Sequence, residues 1–302
     1  MAHACIRAYA KRRQRLVLFA RPSEANCESS THLQGTCRFM SQPVPISIIT
    51  IAYNNVQDIE PTLQSVISQD YPHIEYIVVD GASTDGTLEV IERYRYEIDQ
   101  LISEPDGGLY EAINKGIRLA SGDVVGLIHA GDRLYSPDVI AHIAEAFQDP
   151  DLEAIYGHSV LVDSSDRPVR VNRSRPFSRR RIRQGWMPSH QSIYMRKERF
   201  DRYGLYRTDF GGSGDYEFFI RHFYRHRPNA RLLDRYIVRF SLGGQSTTGY
   251  RHLLRRQRTH VNCWRVNALR PPMFLVPRKL ARKVPQFIRG FYQRFSSAGT
   301  KL

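Results

Sequence analysis

The chain has 302 residues, 41% hydrophobic and 25% charged, which is the composition of an ordinary folded protein. Its net charge of +14 is uneven: residues 1–40 carry +5, residues 41–234 carry −6 and residues 235–302 carry +15. An acidic central part argues against a nucleic-acid groove through the main domain. Cys263 is the only cysteine after the first 40 residues, so the main domain has no internal disulfide, as expected in a reducing compartment.

The two ends differ from the centre. Residues 1–43 show little periodicity. We expect either a disordered extension or a start codon placed too early, with Met40 as the true start. A transit-like or membrane-touching segment is the alternative. Residues 246–302 are predicted to be a basic helical tail. The stretch PRKLARKVPQFIRGFYQRF (277–295) has an apolar helical face flanked by basic residues, typical either of contact with an anionic membrane surface or of docking onto the main domain. We expect a cytoplasmic protein, peripheral on the inner membrane face.

Between these ends, strand and helix patterns alternate. Continuous β-branched runs predict buried strands over residues 45–52, 74–80, 99–103 and 123–129. Helical spacing follows over residues 58–69, 83–97, 108–122 and 136–148. Strands joined by single helices imply right-handed crossovers and a mostly parallel sheet. After residue 150 the alternation weakens, and strands at 154–162 and 192–195 with a helix at 214–226 predict mixed or antiparallel pairing.

Polar loops follow three of these strands. They read AYNN (52–55), VDGASTDGT (79–87) and HAGD (129–132), and a doubly wound sheet brings them to one edge. Asp80 and Asp132 offer carboxylates there, suited to a nucleotide and to a divalent cation held against phosphates. The loop at 79–87, Asp132 and His129 each have a simpler interpretation. The loop only turns the chain and caps the next helix, Asp132 caps the helix that follows it, and His129 is a buried histidine with a hydrogen-bond partner.

Four motifs in order, ISIITIAYNN, EYIVVDGASTDGT, SEPDGGLYEAINKGI and SGDVVGLIHAGD, resemble those of family 2 glycosyltransferases. The resemblance covers about residues 44–245 and is strongest to bacterial enzymes that build surface or exported polysaccharides. It implies an α/β protein of the GT-A fold, with a Rossmann-like, mostly parallel central sheet flanked by helices. It further implies a nucleotide-diphosphate sugar donor (UDP-sugar preferred), Mg²⁺ or Mn²⁺, a glycan or lipid-linked glycan acceptor, and direct displacement with inversion.

The same resemblance assigns donor-side residues: Tyr53 against the base, Asp80 at the uracil or ribose, and Asp106, Asn114 and Lys115 near the ribose or diphosphate. Asp132 would bind the metal. Family members commonly read D-x-D-D at this corner, whereas this chain reads His129-Ala-Gly-Asp132 and keeps one carboxylate. His129 is therefore interpreted either as an extra metal ligand or as a hydrogen-bond donor to phosphate.

On the acceptor side, the stretch FGGSGDYEFFIRHF supplies Asp215 at a helix start as the expected catalytic base, with Glu217 as second choice. Trp186, His190 and Gln191 match family positions that border the acceptor site. Residues 167–183 contain eight arginines and no acid, which indicates either a solvated surface or cations for a lipid-linked pyrophosphate.

Two rival functions are compatible with a sheet of this kind. A nucleotidyltransferase would carry a glycine-rich basic loop after the first strand, and AYNNVQD (52–58) has neither glycine nor Lys/Arg. The second rival is a basic membrane- or RNA-binding protein with a degenerate transferase core, which the loss of carboxylates at positions 129 and 131 keeps open.

Overall fold

The computed structural model describes residues 42–241 and 259–273. The strands are β1 Ile46–Ala52, β2 Ile74–Asp80, β3 Gln100–Ser103, β4 Val124–His129, β5 Arg133–Leu134, β6 Ala154–Val162, β7 Pro168–Asn172, β8 Ile193–Arg196 and β9 Ala230–Ser241. The α-helices are α1 Ile59–Ile67, α2 Thr87–Glu92, α3 Leu109–Leu119, α4 Val139–Ala146, α5 Arg179–Arg183, α6 Glu198–Tyr203 and α7 Gly214–Phe219. Short 3₁₀ turns lie at Arg95–Glu97, His190–Ser192 and Gly211–Ser213, and a π-helical segment, Ile220–Arg225, continues α7.

The first half of the sheet is parallel, in the order β3-β2-β1-β4. All seven residues of β1 are buried, which explains why its sequence is continuously apolar instead of alternating. The helices between these strands cross over the sheet and bring every strand into it in the same direction. The predicted α/β class and the parallel pairing of the first four strands are confirmed.

The second half of the sheet is mixed, as the weaker alternation predicted. Strand β8 pairs antiparallel with both β4 and β6, and β9 runs parallel to β6. The contact between β4 and β8 depends on Gly126, which pairs with Tyr194. A Cβ at Gly126 would lie 2.1 Å from the Tyr194 ring, so only glycine lets the two strands approach.

Both faces of the sheet are covered. One face packs against α1, α2 and α4 through residues such as Leu63, Val90 and Ile140. The other packs against α3 and α7, and here Gly116 of α3 brings the helix onto Ile49. Each face therefore has its own apolar core, as the buried strands require.

One predicted helix is shorter than its pattern. Residues 83–97 form only α2 and a 3₁₀ turn, because the polar residues before α2 hold the loop after β1. The backbone N–H of Asn54 donates to Ser83 Oγ at 2.9 Å, and that of Val56 donates to Asp85 Oδ2 at 3.0 Å. These side chains tie the loops after β1 and β2 together instead of starting the helix.

Part of the predicted basic tail packs on the main domain. Residues 259–266 are helical, and Trp264 is fully buried, with its Nε1–H donating to Tyr216 Oη at 2.9 Å. The extension up to residue 41 and the amphipathic stretch 277–295 lie outside the described residues. Within residues 42–241 and 259–273, no helix is long and apolar enough to cross a bilayer.

Candidate active site

The carboxyl ends of β1, β2 and β4 form one edge of the sheet, here called the rim. In the strand register Ala52 pairs with Asp80 and Ile51 pairs with His129. Adjacent strands are about 4.8 Å apart, so Asp80 and His129 lie on either side of β1, roughly 10 Å from each other. The three polar loops thus meet at one edge.

Asp80 is fully buried at the end of β2, and its carboxylate is held by neighbouring hydroxyl and backbone groups. Ser83 Oγ donates to Oδ1 at 2.5 Å, while Ser83 N–H and Ser103 Oγ donate to Oδ2 at 3.0 and 2.7 Å. These bonds fix the orientation of the carboxylate toward the rim. Neither serine had been singled out from the sequence.

Tyr53 and Asp106 meet over Gly81, next to Asp80. A Cβ at Gly81 would lie 3.2 Å from the Tyr53 ring and 2.9 Å from Asp106 Oδ2, so both side chains rest on the bare glycine backbone. Asp106 Oδ1 accepts the backbone N–H of Gly108 at 2.8 Å. Tyr53 is 64% exposed, which leaves a ring face open beside two carboxylates, an arrangement suited to a planar heterocycle with N–H donors.

Asn114 and Lys115 have different surroundings. The Asn114 side chain is buried, donates to Tyr206 O at 2.7 Å and accepts the Tyr206 N–H at 2.9 Å, so both ends of the amide are used within the protein. Lys115 Nζ pairs with Glu104 at 2.9 Å and donates to Pro105 O at 3.0 Å, and the hydrogen bond with Glu104 raises its pKa. Lys115 therefore lies at the loop that carries Asp106. The Asn114 amide, in contrast, is hydrogen-bonded to the backbone of Tyr206.

The corner at residues 129–132 is shaped by Gly131, whose φ of +92° favours glycine. Thr62 Oγ1 of α1 accepts the N–H of Gly131 at 3.0 Å and donates to Asp132 O at 2.7 Å. No local pattern in the sequence predicts this role for Thr62. Position 131 corresponds to the third residue of D-x-D-D in family members. In this chain its backbone is in the left-handed region, and the residue is a glycine.

The carboxylate of Asp132 is partly buried and accepts two hydrogen bonds. Gln191 Nε2 donates to Oδ2 at 2.6 Å, and the backbone N–H of Ser241 donates to Oδ1 at 3.2 Å. Burial raises the pKa of Asp132 to about 7, and these two hydrogen bonds oppose the rise. No Lys, Arg or His of the described chain forms an ion pair with it.

Gln191 was predicted on the acceptor side, and the structure places its amide against the Asp132 corner. The antiparallel register of β4 and β8, continued beyond β8, sets Gln191 opposite His129. Its Oε1 accepts the backbone N–H of His129 at 3.0 Å. One buried amide therefore joins both ends of the corner.

A row of polar side chains, His129, His190 and Asp215, leads from this corner to the first turn of α7. His129 Nε2 lies 2.8 Å from His190 Nε2, and His190 Nδ1 lies 3.9 Å from Asp215 Oδ2. Burial lowers the pKa of both histidines, opposed at His190 by the charge of Asp215. Tyr110 Oη is 3.4 Å from Asp215 Oδ1, which also accepts the backbone N–H of Tyr216 at 2.7 Å.

The tautomers of the two histidines follow from Asp215. An anionic carboxylate favours a proton on the facing His190 Nδ1, so His190 Nε2 accepts and His129 Nε2 donates. The remaining nitrogen, His129 Nδ1, is then a lone pair; it is buried and has no hydrogen-bond partner in the described part of the chain. His129 thus offers an acceptor or a ligand atom, and no N–H for a phosphate, in this arrangement.

Two other predicted residues point inward. Trp186 is buried and packs edge-on against Tyr156 and Phe219 at centroid distances of 5.7 and 6.1 Å. Glu217 pairs with Arg221 at 2.9 Å and accepts from Asn267 Nδ2 at 3.0 Å in the interior. Asp215 is in the first turn of α7, as predicted, and the offset of two residues turns Glu217 away from it.

The corner at residues 129–132 has few ligand atoms for a divalent cation. Within the described residues, no group of three or more His, Cys, Asp and Glu side chains is arranged to hold a metal ion. The corner does contain the carboxylate of Asp132, whose pKa is raised by burial and which has no cationic partner in the described chain. These residues fit a cation that takes its remaining oxygens from a bound diphosphate.

Known proteins resemble the chain in sequence. An uncharacterised glycosyltransferase of Mycobacterium tuberculosis is 35% identical over 188 residues, covering 60% of this chain and 70% of the relative. A PGL/p-HBAD biosynthesis glycosyltransferase of Mycobacterium bovis is 28% identical over 199 residues, covering 64% of this chain and 74% of the relative.

Solved structures show the same fold at lower identity. Staphylococcus aureus TarS 1–349, solved with UDP-GlcNAc, superposes with a TM-score of 0.58 at 20% identity, covering 85% of this chain and 76% of TarS. The mannosyltransferase PcManGT of Pyrobaculum calidifontis, solved with GDP-Man and Mn²⁺, gives a TM-score of 0.55 at 18% identity, covering 98% and 84%. The predicted GT-A fold is confirmed. The family model of glycosyl transferase family 2 matches residues 47–221, and the chain belongs to that family.

Proposed function

We propose that the protein transfers a sugar from a nucleotide-diphosphate donor, preferably a UDP-sugar, to a hydroxyl of a glycan or lipid-linked glycan, with inversion at the anomeric carbon. The observation that carries this proposal is the row His129–His190–Asp215, which joins the Asp132 corner to the expected base. The nucleotide sugars bound by TarS and PcManGT support the class of donor.

The donor occupies the rim in this proposal. The base lies against the exposed Tyr53 ring, and Asp80 and Asp106 accept hydrogen bonds from the base or ribose. Lys115, which donates to Pro105 O in the loop that carries Asp106, supplies a cation for phosphate oxygens on that side. Because the Asn114 amide is already bonded to Tyr206, we assign it to holding the chain and not to the ligand.

Asp132 and the lone pair of His129 Nδ1 would hold Mg²⁺ or Mn²⁺ together with the diphosphate. When bound, the cation offsets the negative charge that develops on the leaving diphosphate. Gln191 and Ser241 keep the Asp132 carboxylate in place through their hydrogen bonds.

Asp215 acts on the acceptor side. Its carboxylate takes the proton of the acceptor hydroxyl as the new oxygen–carbon bond forms and the bond to the diphosphate breaks. His190 Nδ1 and Tyr110 Oη face this carboxylate, at 3.9 Å from Oδ2 and 3.4 Å from Oδ1.

The test is calorimetric titration of UDP with and without Mn²⁺, followed by nucleotide release from a panel of UDP- and GDP-sugars. We expect metal-dependent UDP binding that is lost in Asp132→Asn. The matched control is Asp201→Asn, an exposed carboxylate on α6, which should bind UDP as the wild type does. Absence of nucleotide binding under every condition would favour the degenerate core that serves as a membrane- or RNA-binding protein.

A further inference from the structure

Five arginines lie within residues 175–183, on the excursion of the chain between β7 and β8. They are Arg175, Arg179, Arg180, Arg181 and Arg183, here called the arginine segment. The excursion is closed at its base, where Asn172 Nδ2 donates to Ser189 Oγ at 3.2 Å and Ser189 Oγ bonds Ser159 Oγ at 2.7 Å. The segment is thus attached to the sheet at both ends.

The arginine segment has no acidic partner in the described chain. Other arginines pair closely with carboxylates, for example Arg199 with Glu153 and Arg221 with Glu217, but none of these five lies within ion-pair distance of one. Five positive charges in nine residues repel one another. A bound anion would relieve that repulsion, and guanidinium groups suit phosphate oxygens because they donate two parallel N–H groups.

Aromatic rings hold two of the guanidinium groups in place. Arg179 lies over the Tyr224 ring at 4.2 Å, and its Nε–H is buried without an acceptor in the described residues. Arg183 lies 5.9 Å from the Trp264 ring and 3.4 Å from Tyr224 Oη. Stacking on a ring leaves the N–H edges of a guanidinium free, so these groups are oriented before any anion binds.

The position of the segment separates it from the donor site. In the sheet, β7 pairs with β6 on the same edge as β8, because β9 occupies the other edge, so β1 and β4 lie between the start of the excursion and Asp80 on β2. Its closing residue, Ser189, immediately precedes His190, which faces Asp215. Arg179 and Arg183 contact Tyr224, nine residues after Asp215 in the same helical run, so an anion on the arginine segment lies roughly 13 Å along the helix from the base.

We propose that the arginine segment binds a phosphate or diphosphate group carried by the acceptor, which presents the acceptor hydroxyl to Asp215. The inference rests on the proposed function, because it takes Asp215 as the base, and it names the acceptor as a phosphate-bearing substrate.

The experiment measures binding to neutral phosphatidylcholine vesicles that carry a small fraction of geranylgeranyl diphosphate. A chelator is present, so that no metal bridges the diphosphate to Asp132. The test variant is Arg175→Gln/Arg180→Gln/Arg183→Gln, all exposed positions of the segment. The control, Arg93→Gln/Arg118→Gln/Arg202→Gln, removes the same charge from exposed positions elsewhere.

We expect the test variant to bind the diphosphate vesicles about tenfold more weakly or worse than wild type, and the control to stay within about a factor of two. Vesicles with phosphatidylglycerol at equal charge should bind weakly and without a difference between the variants. Equal losses in both variants, equally strong binding to phosphatidylglycerol, or no binding of the diphosphate by wild type would overturn the proposal. A parallel UDP and Mn²⁺ titration separates the two proposals: its failure alone rejects the donor site and leaves the arginine result standing.

Discussion

The side chain of Gln191 donates to Asp132 Oδ2 at 2.6 Å and accepts the backbone N–H of His129 at 3.0 Å. It therefore holds both ends of the corner where the chain has one carboxylate instead of several. In the proposed function, this buried amide orients the one carboxylate that would hold the cation.

Gln191→Leu should weaken metal-dependent UDP binding by about tenfold and lower the free energy of unfolding by about 1–3 kcal/mol, because the His129 N–H loses its acceptor. The matched control is Gln69→Leu. Gln69 is also buried and bonds Ser136 O and the N–H of Ile140, away from the rim. The Gln69→Leu variant should lose stability, as measured by urea unfolding, and keep the UDP affinity of the wild type, as measured by calorimetry. Equal UDP affinities in both variants would show that Gln191 does not position Asp132.

Asp215→Asn should lower the rate of sugar transfer by about 10²–10⁴-fold, because the amide cannot take the acceptor proton. UDP affinity should stay unchanged, since the proposed function places Asp215 on the acceptor side. Initial rates and UDP titration of the same preparation check both points. A variant that transfers sugar at the wild-type rate would remove Asp215 from the role of base.

Glu217→Gln should act on stability instead. Glu217 is 1% exposed and forms a buried pair with Arg221, so the neutral amide leaves the guanidinium without its counter-charge. We expect a loss of roughly 3 kcal/mol in the free energy of unfolding. Urea unfolding measures it, and native-like stability together with loss of transfer would instead favour Glu217 as the base.

Acid should destabilise the protein through His222. Burial holds its pKa well below the usual value, helped by the charges of Arg221 and Arg199, while its Nε2–H donates to Gly204 O at 3.0 Å. The unfolded chain takes up a proton near pH 6.5 and the folded protein does not, so the stabilising effect is present above that pH and is lost as the pH falls. One such histidine contributes a slope of up to about 1.4 kcal/mol per pH unit.

His222→Gln should reduce this slope between pH 6.5 and 5, as measured by urea unfolding at several pH values. His129, His190 and His226 have pKa values lowered in the same direction, so part of the slope remains. An unchanged slope in the variant would show that folded His222 accepts the proton.

Much of the fold follows from local sequence. The apolar runs of β1, β2 and β4 are buried strands at nearly the predicted bounds, and their polar ends meet at the rim, because parallel crossovers allow little else. The position of Asp215 in the first turn of α7 was likewise predicted, since its glycine-rich lead-in and the helical spacing are adjacent in the chain.

The partners of the site residues depend on the tertiary structure. Gln191 reaches His129 only because β8 runs antiparallel to β4, a pairing that no local pattern specifies. Asn114 bonds Tyr206, 92 residues later, and Ser241 closes the Asp132 corner from the end of β9. The sequence by itself determined which segments are buried and which polar loops share an edge, because burial and periodicity are local. Only the tertiary structure determined which polar side chains are hydrogen-bonded to each other, because these partners are set by contacts between strands and helices far apart in the chain.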